Sequence, residues 1–339
     1  MVLNRPSVED RSMPLRDRLL AVLVAVLWGL NFPAIHLSLA QFPPFFLVAV
    51  RFSLIAIPVV LLVPRPVVRW RWLLGYGIGF GVLQFAFLYL AMDVGMPTGL
   101  ASLVLQSSAP FTVLLGAALL GERLTARRLA GIGTAMVGLA GIALHRADTG
   151  GRAMLLPVLL TLLGGLGWAI GNLSNRKAAA DSPWRLMLWM AVIPPLPMLA
   201  LSFVVDGPAA IGRSLSTLDT PAAIPAIGGL LYTVLVATLA GSGIWTALMA
   251  RHPSGTVAPF SMLVPVVGIA ASWLVLHEKP APVELLLGVL VLGGVMLAGA
   301  APRRRAAVSP RLRPVPWRGL RPLRRVPSAP ARPSSSPTP

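Results

Sequence analysis

Between Leu19 and Ala300 the chain is a succession of ten apolar runs, each ended by a short hinge of Pro, Gly or charged residues. A hydrocarbon layer about 30 Å thick takes roughly 20 apolar residues per helical crossing. The runs therefore predict ten membrane helices at about 19–40, 44–63, 72–92, 98–120, 128–145, 153–175, 185–205, 222–249, 255–276 and 283–300. Leu, Ala, Gly and Val fill them without the alternation that barrel strands require. The first run follows a basic leader and is longer than the apolar stretch of a signal peptide, so it reads as a span. The expected fold is an all-α polytopic membrane protein. The hinges leave no room for a soluble domain, and the longest, about 206–221, carries few polar groups.

The pattern also repeats. Met96-Pro97-Thr98-Gly99 opens the fourth span and Gly121-Glu122-Arg123 closes it. His252-Pro253-Ser254-Gly255 opens the ninth and His277-Glu278-Lys279 closes it, 156 residues later in both cases. Pro110 and Pro265 sit at similar depths. Trp28 with Asn31 in the first span is echoed, at another offset, by Trp168 with Asn172 in the sixth. These echoes divide the chain into a leader (1–18), a five-helix repeat (19–145), a second five-helix repeat (153–300) and a tail (301–339). Five is odd, so the second half enters from the opposite side. Ten transmembrane helices in two inverted five-helix repeats are expected, with a midplane site between the halves reached alternately from either side.

Charge sets the expected orientation. Of 339 residues only 12% are charged, and 29 Lys and Arg outnumber 11 Asp and Glu, for a net +18. With the N-terminus inside, twenty-four basic residues fall on the inner side, four on the outer, and Arg51 within a span. The positive-inside rule then expects both termini in the cytoplasm. The Arg/Pro/Ser tail cannot bury a core and is expected to be disordered, against anionic lipid rather than nucleic acid. There is no Cys, and His36, His145, His252 and His277 form no ligand-spaced pair, so no metal or cofactor is expected.

Polar groups in hydrocarbon need a partner or a cavity. Trp28 and Asn31 share one face of the first span, and Trp168 and Asn172 share one face of the sixth. An amide beside an indole suits a small zwitterion, and the alternative is a hydrogen bond between helices. Gln106 lies mid-span just before Pro110, whose missing N–H frees a carbonyl one turn back. Ser107 and Ser108 read as packing residues. Gln84 and Tyr89 in the third span, Trp245 in the eighth and Ser261 in the ninth are expected in the same wall. Arg51 either attracts a carboxylate, snorkels outward or holds a backbone carbonyl. Glu122 and Glu278, at helix ends, are expected to pair with nearby basic residues. No carboxylate falls mid-span, which predicts facilitated or exchange-like export, or proton coupling without a buried acid.

Leu27-Trp28-Gly29-Leu30-Asn31-Phe32 and Arg51-Phe52 resemble the opening motifs of EamA-type members of the drug/metabolite transporter superfamily. The stretch from Gly95 to Gln106, Gly121-Glu122-Arg123-Leu124, and the stretch from Val257 to Gly268 are similar to the same family. The resemblance covers about residues 19–300. It implies ten helices in inverted halves and export of small metabolites, here amino acids or derivatives such as O-acetylserine and cysteine. No catalytic residue is expected, and the expected partners are a small-molecule substrate and membrane lipid. A drug or other metabolite exporter of the same superfamily is the alternative. An intramembrane lipid-modifying enzyme would want clustered His, Asp or Glu, and a non-transporting scaffold gives no reason for the paired Trp and Asn.

Overall fold

The computed structural model describes residues 13–299 except Arg123. Most of the expected leader and the whole expected tail lie outside the described residues. Among the described residues ten helices are long and apolar enough to cross a membrane: α1 (Leu15–Leu39), α2 (Pro44–Leu62), α3 (Trp70–Asp93), α4 (Thr98–Leu120), α5 (Ala126–Gly150), α6 (Leu155–Ala178), α7 (Pro183–Val205), α8 (Pro221–Arg251), α9 (Ala258–Leu276) and α10 (Pro282–Gly299). No strand occurs among the described residues. The protein is a multi-pass α-helical membrane protein. One connection departs from expectation. The segment after α7 is no simple hinge but holds a short helix, Pro208–Ser216. Gly207, at φ +83°, breaks the chain there, and Pro208 starts the new helix with a preset φ.

The 156-residue echo has a structural counterpart. α4 ends on Gly121 at φ +66° and α9 on His277 at φ +57°. Only glycine adopts this conformation freely, so His277 holds a backbone shape that a side chain disfavours. The closing bonds match as well. Gly121 N–H and Glu122 N–H both reach Gly116 O, while His277 N–H and Glu278 N–H both reach Ser272 O. Two π-helical segments, Gly77–Leu83 in α3 and Tyr232–Gly241 in α8, fall at nearly the same offset. Such wide turns free backbone carbonyls inside a helix. Neither was legible from apolar spacing.

The helices pair as two-fold-related halves would. α1 packs on α8 and α9, and α6 packs on α3 and α4; α2 meets α7, α4 meets α9, and α5 meets α10. Exchanging each helix for the one five places away leaves this pattern unchanged. The α5–α10 contact depends on small residues. A Cβ on Gly131 would collide with the backbone of Ala298, and one on Gly294 with that of Ala135. With no hydrophobic drive between helices in lipid, such close approach is what holds the pair. Outward faces carry exposed Leu and Val, such as Leu61, Leu196, Val204 and Leu286, suited to acyl chains.

Candidate functional site

A cavity of about 510 Å³ lies between the helices. It runs from mid-bundle toward the end at which α1 begins, here the near end. Asn175 close to the end of α6, Pro183 at the start of α7 and Thr246 late in α8 mark that side. The far end is closed. Glu278 accepts hydrogen bonds from Thr98 N–H and Gly99 N–H, each at 3.1 Å, and Thr98 Oγ1 stands 3.3 Å from His36 Nδ1. Gln41 Nε2 donates to Ser214 O and Thr217 Oγ1, both at 2.7 Å. Glu278 thus corrects expectation: it caps the first turn of α4 instead of pairing with a base. Free N–H groups and the positive end of the helix dipole favour a carboxylate there. Glu122 does pair with bases, at 2.5 Å to Arg176 and 3.9 Å to Arg128.

Arg51 sits near the middle of α2 with only 4% of its surface exposed. It neither snorkels nor binds a backbone carbonyl. Its Nη1 donates to Tyr89 Oη at 2.8 Å and its Nη2 to Thr238 Oγ1 at 2.9 Å. The Thr238 hydroxyl donates its own hydrogen bond to Thr233 O at 2.7 Å, which leaves its lone pairs to accept from the guanidinium. The Phe85 ring covers the guanidinium, 3.9 Å from its carbon, and Phe52 flanks it at 5.2 Å. This cation–π cover replaces part of the lost hydration. Tyr89 corrects a second expectation. It is 1% exposed and stands behind Arg51, outside the cavity wall.

The other nine residues expected in the wall border this one cavity: Trp28, Asn31, Arg51, Gln84, Gln106, Trp168, Asn172, Trp245 and Ser261. Trp28 Nε1 donates to Ala237 O at 3.0 Å, a carbonyl in the π-helical turn of α8. Trp28 and Trp245 rings lie 5.2 Å apart. Gly241 leaves the room this requires, since a Cβ there would stand 2.9 Å from Trp28 Nε1. Trp168 meets Phe80 edge-on at 5.9 Å, and Phe80 meets Phe85 at 5.8 Å, so an aromatic row leads to Arg51. Asn172 both borders the cavity and bridges helices, donating to Thr112 Oγ1 at 3.2 Å. Gln106 Nε2 donates to Met262 Sδ at 3.6 Å. Ser261 is tied to Ala258 O at 2.7 Å. Asn31 Oδ1, Gln84 Oε1 and Arg51 Nε are buried without a hydrogen-bond partner.

Sequence reasoning missed Thr238, Phe85, Phe80 and Thr112. Phe85 lies four residues before Tyr89, so the ring and the hydroxyl that hold Arg51 come from one helix face. That spacing was the available signal. Ser108, expected as a packing residue, borders the cavity, whereas Ser107 does not. The histidines form no metal cluster among the described residues, but His252 meets Asp17 at 2.5 Å at the near end. At the far end, burial pushes the Asp206 carboxyl above its ordinary value. Hydrogen bonds from Ser202 Oγ at 2.8 Å and Phe46 N–H at 3.2 Å pull it back.

A family model described as "EamA-like transporter family" matches residues 18–144 and again residues 155–300. The chain belongs to the EamA-like transporter family. Each match covers five of the ten helices, the first stopping short of the start of α1 and the end of α5. A "Probable amino-acid metabolite efflux pump" of Escherichia coli (strain K12) is 41% identical over 300 residues, 87% of this chain and 99% of its own. The protein of the same description in Salmonella typhimurium (strain LT2) is 42% identical over 304 residues, 88% of this chain and 100% of its own. A "Probable terminal-alkyne amino-acid exporter" of Streptantibioticus cattleyicolor is 28% identical over 299 residues, 85% and 96% of the two chains. One solved crystal structure aligns with a TM-score of 0.53 at 22% identity, over 84% of this chain and 96% of its own, and supports the fold alone. Membership of the EamA-like family places the protein among transporters, not enzymes.

Proposed function

We propose that this protein exports amino acids or their small derivatives, such as O-acetylserine and cysteine, across the bacterial inner membrane by alternating access. The observation that carries the reading is the cavity itself. It lies at mid-bundle, opens toward one end and is sealed at the other, and its wall joins one buried cation to neutral amides and aromatic rings. That mixture suits a small molecule with a carboxylate, an amine and a modest side chain. Relatives described as amino-acid metabolite efflux pumps over nearly their whole length support the same class.

The transport cycle follows from two five-helix repeats, about 19–145 and 153–300, inverted with respect to each other. The pairing pattern, invariant under exchange of the halves, supports this arrangement. Both termini then face the cytoplasm, in line with the surplus of basic residues on that side. The near end is cytoplasmic, so the cavity is poised to load from inside. Trp28, Asn31, Arg51, Gln84, Gln106, Trp168, Asn172, Trp245 and Ser261 hold the cargo, and Tyr89 holds Arg51. Among the described residues no carboxylate borders the cavity, which favours facilitated or exchange-like movement.

Everted membrane vesicles test the proposal. Net uptake of O-acetylserine or cysteine above vesicles lacking the protein is the expected result. Movement only of an unrelated drug or sugar would reject the substrate while keeping the family. Labelling that found the two termini on opposite faces would overturn the orientation.

A further inference from the structure

Arg51 is the single formal charge that the described residues bring to the cavity wall. The ion pairs among the described residues use Arg128, Arg146, Arg176 and His252, and none uses Arg51. A buried guanidinium with no counter-ion carries a heavy desolvation cost. Here two hydroxyls and two aromatic rings meet that cost only in part. Of its five N–H donors, one on Nη1 and one on Nη2 are bonded, and Nε has no partner. Three N–H donors remain in the guanidinium plane, enough in number for the two hydrogen bonds that an Arg makes to a carboxylate.

The amine side of the site is different in kind. The unpartnered acceptors, Asn31 Oδ1 and Gln84 Oε1, are neutral amide oxygens. They accept from an ammonium or from the N–H of an amide alike. A cationic amine without a carboxylate would share the cavity with Arg51 and meet no anion, which like-charge repulsion in a low dielectric opposes.

Resting on the reading of this cavity as an amino-acid site, we infer that Arg51 anchors the cargo's carboxylate and that the cargo's amine need carry no charge. The site is then a carboxylate site. It accepts N-acylated amino acids as well as free ones, and it refuses amino-acid esters. Tyr89 and Thr238 are positioning residues that fix the plane of the guanidinium.

Three probes separate the groups: O-acetylserine, N,O-diacetylserine and O-acetylserine methyl ester. The first has both charges, the second only the carboxylate, the third only the amine. Binding is read by quenching of tryptophan fluorescence in the purified full-length protein at pH 6.5, where acyl migration is slow. The two acids are expected to bind within about threefold of each other. The ester should bind at least roughly tenfold more weakly, as loss of charge-assisted hydrogen bonds would give. Arg51→Gln should remove that preference, and Arg51→Lys should retain part of it. Equal binding of ester and acid overturns the inference and leaves the exporter reading standing. So does an Arg51→Gln protein, still folded by its melting transition, that keeps the preference unchanged. Failure of all three probes to bind the wild-type protein removes the amino-acid reading together with the inference.

Discussion

Gln106 and Met262 stand 156 residues apart in sequence and touch, with Gln106 Nε2 donating to Met262 Sδ at 3.6 Å. The same interval relates Gly121 to His277 and Glu122 to Glu278. Under the proposed inverted repeat, two equivalent positions meet only where the axis relating the halves passes, and this contact then marks that axis between α4 and α9, beside the cavity.

In the proposed alternating-access cycle the halves part along that line for cargo to cross. Because the chain has no cysteine, a Gln106→Cys/Met262→Cys protein carries only the introduced pair. A short bifunctional thiol reagent should join the two and stop uptake into everted vesicles, with reducible linkage restoring it. Full transport by the joined protein would show that this contact need not open.

Asn31→Ala should leave the protein folded while slowing transport. Its Oδ1 has no hydrogen-bond partner to lose, so the stability change should stay within about 1 kcal/mol. Losing one hydrogen bond to cargo at this depth should cut uptake roughly tenfold. Unchanged uptake at equal expression would remove Asn31 from the site.

Tyr89→Phe should do the reverse in stability. The hydroxyl accepts from Arg51 Nη1 at 2.8 Å, and the change leaves a buried cation short of an acceptor. A cost of about 1–3 kcal/mol is expected, read as a lower melting temperature in detergent. An unaltered melting temperature would mean that Arg51 finds another acceptor.

Glu278→Ala removes the cap from Thr98 and Gly99 and should weaken the far-end closure by about 1 kcal/mol. A cysteine placed at Ile35, on the cavity wall beside His36, should then label faster from the far side. Glu278→Gln, which keeps one acceptor, should fall between. No change in labelling would sever Glu278 from the closure.

Asp206 gives a pH dependence. Its carboxyl is held above its ordinary value, chiefly by burial, so the folded protein binds more protons than the unfolded chain just above that value. Stability should therefore fall as pH rises through that interval, and Asp206→Asn should flatten the slope. Melting curves between about pH 3.5 and 6 in a stable detergent check this. A slope of opposite sign would contradict it.

Local spacing carried much of this structure. Ten apolar runs separated by Pro and Gly hinges gave ten helices at nearly the expected limits, because in lipid each crossing must satisfy its own backbone. Trp28 with Asn31, and Trp168 with Asn172, were legible because helical geometry puts such neighbours on one face. What sequence could not supply was partnership across the bundle. Thr238 lies 187 residues from Arg51, and Thr98 lies 180 from Glu278. The adjacent Lys279 made an ion pair look natural, whereas the carboxylate turned to the free N–H groups of another helix. Tyr89 was read as wall because polarity says that a group needs a partner, not on which side the partner stands.

Ala237 and Thr238 are consecutive residues of one wide turn in α8. The first moors the Trp28 indole and the second the Arg51 guanidinium. An aromatic shutter from α1 and an electrostatic hook from α2 thus hang from the same two-residue pier. A tilt of α8 would displace both together, so in the proposed site the hold of Trp28 and that of Arg51 on cargo would loosen in one step.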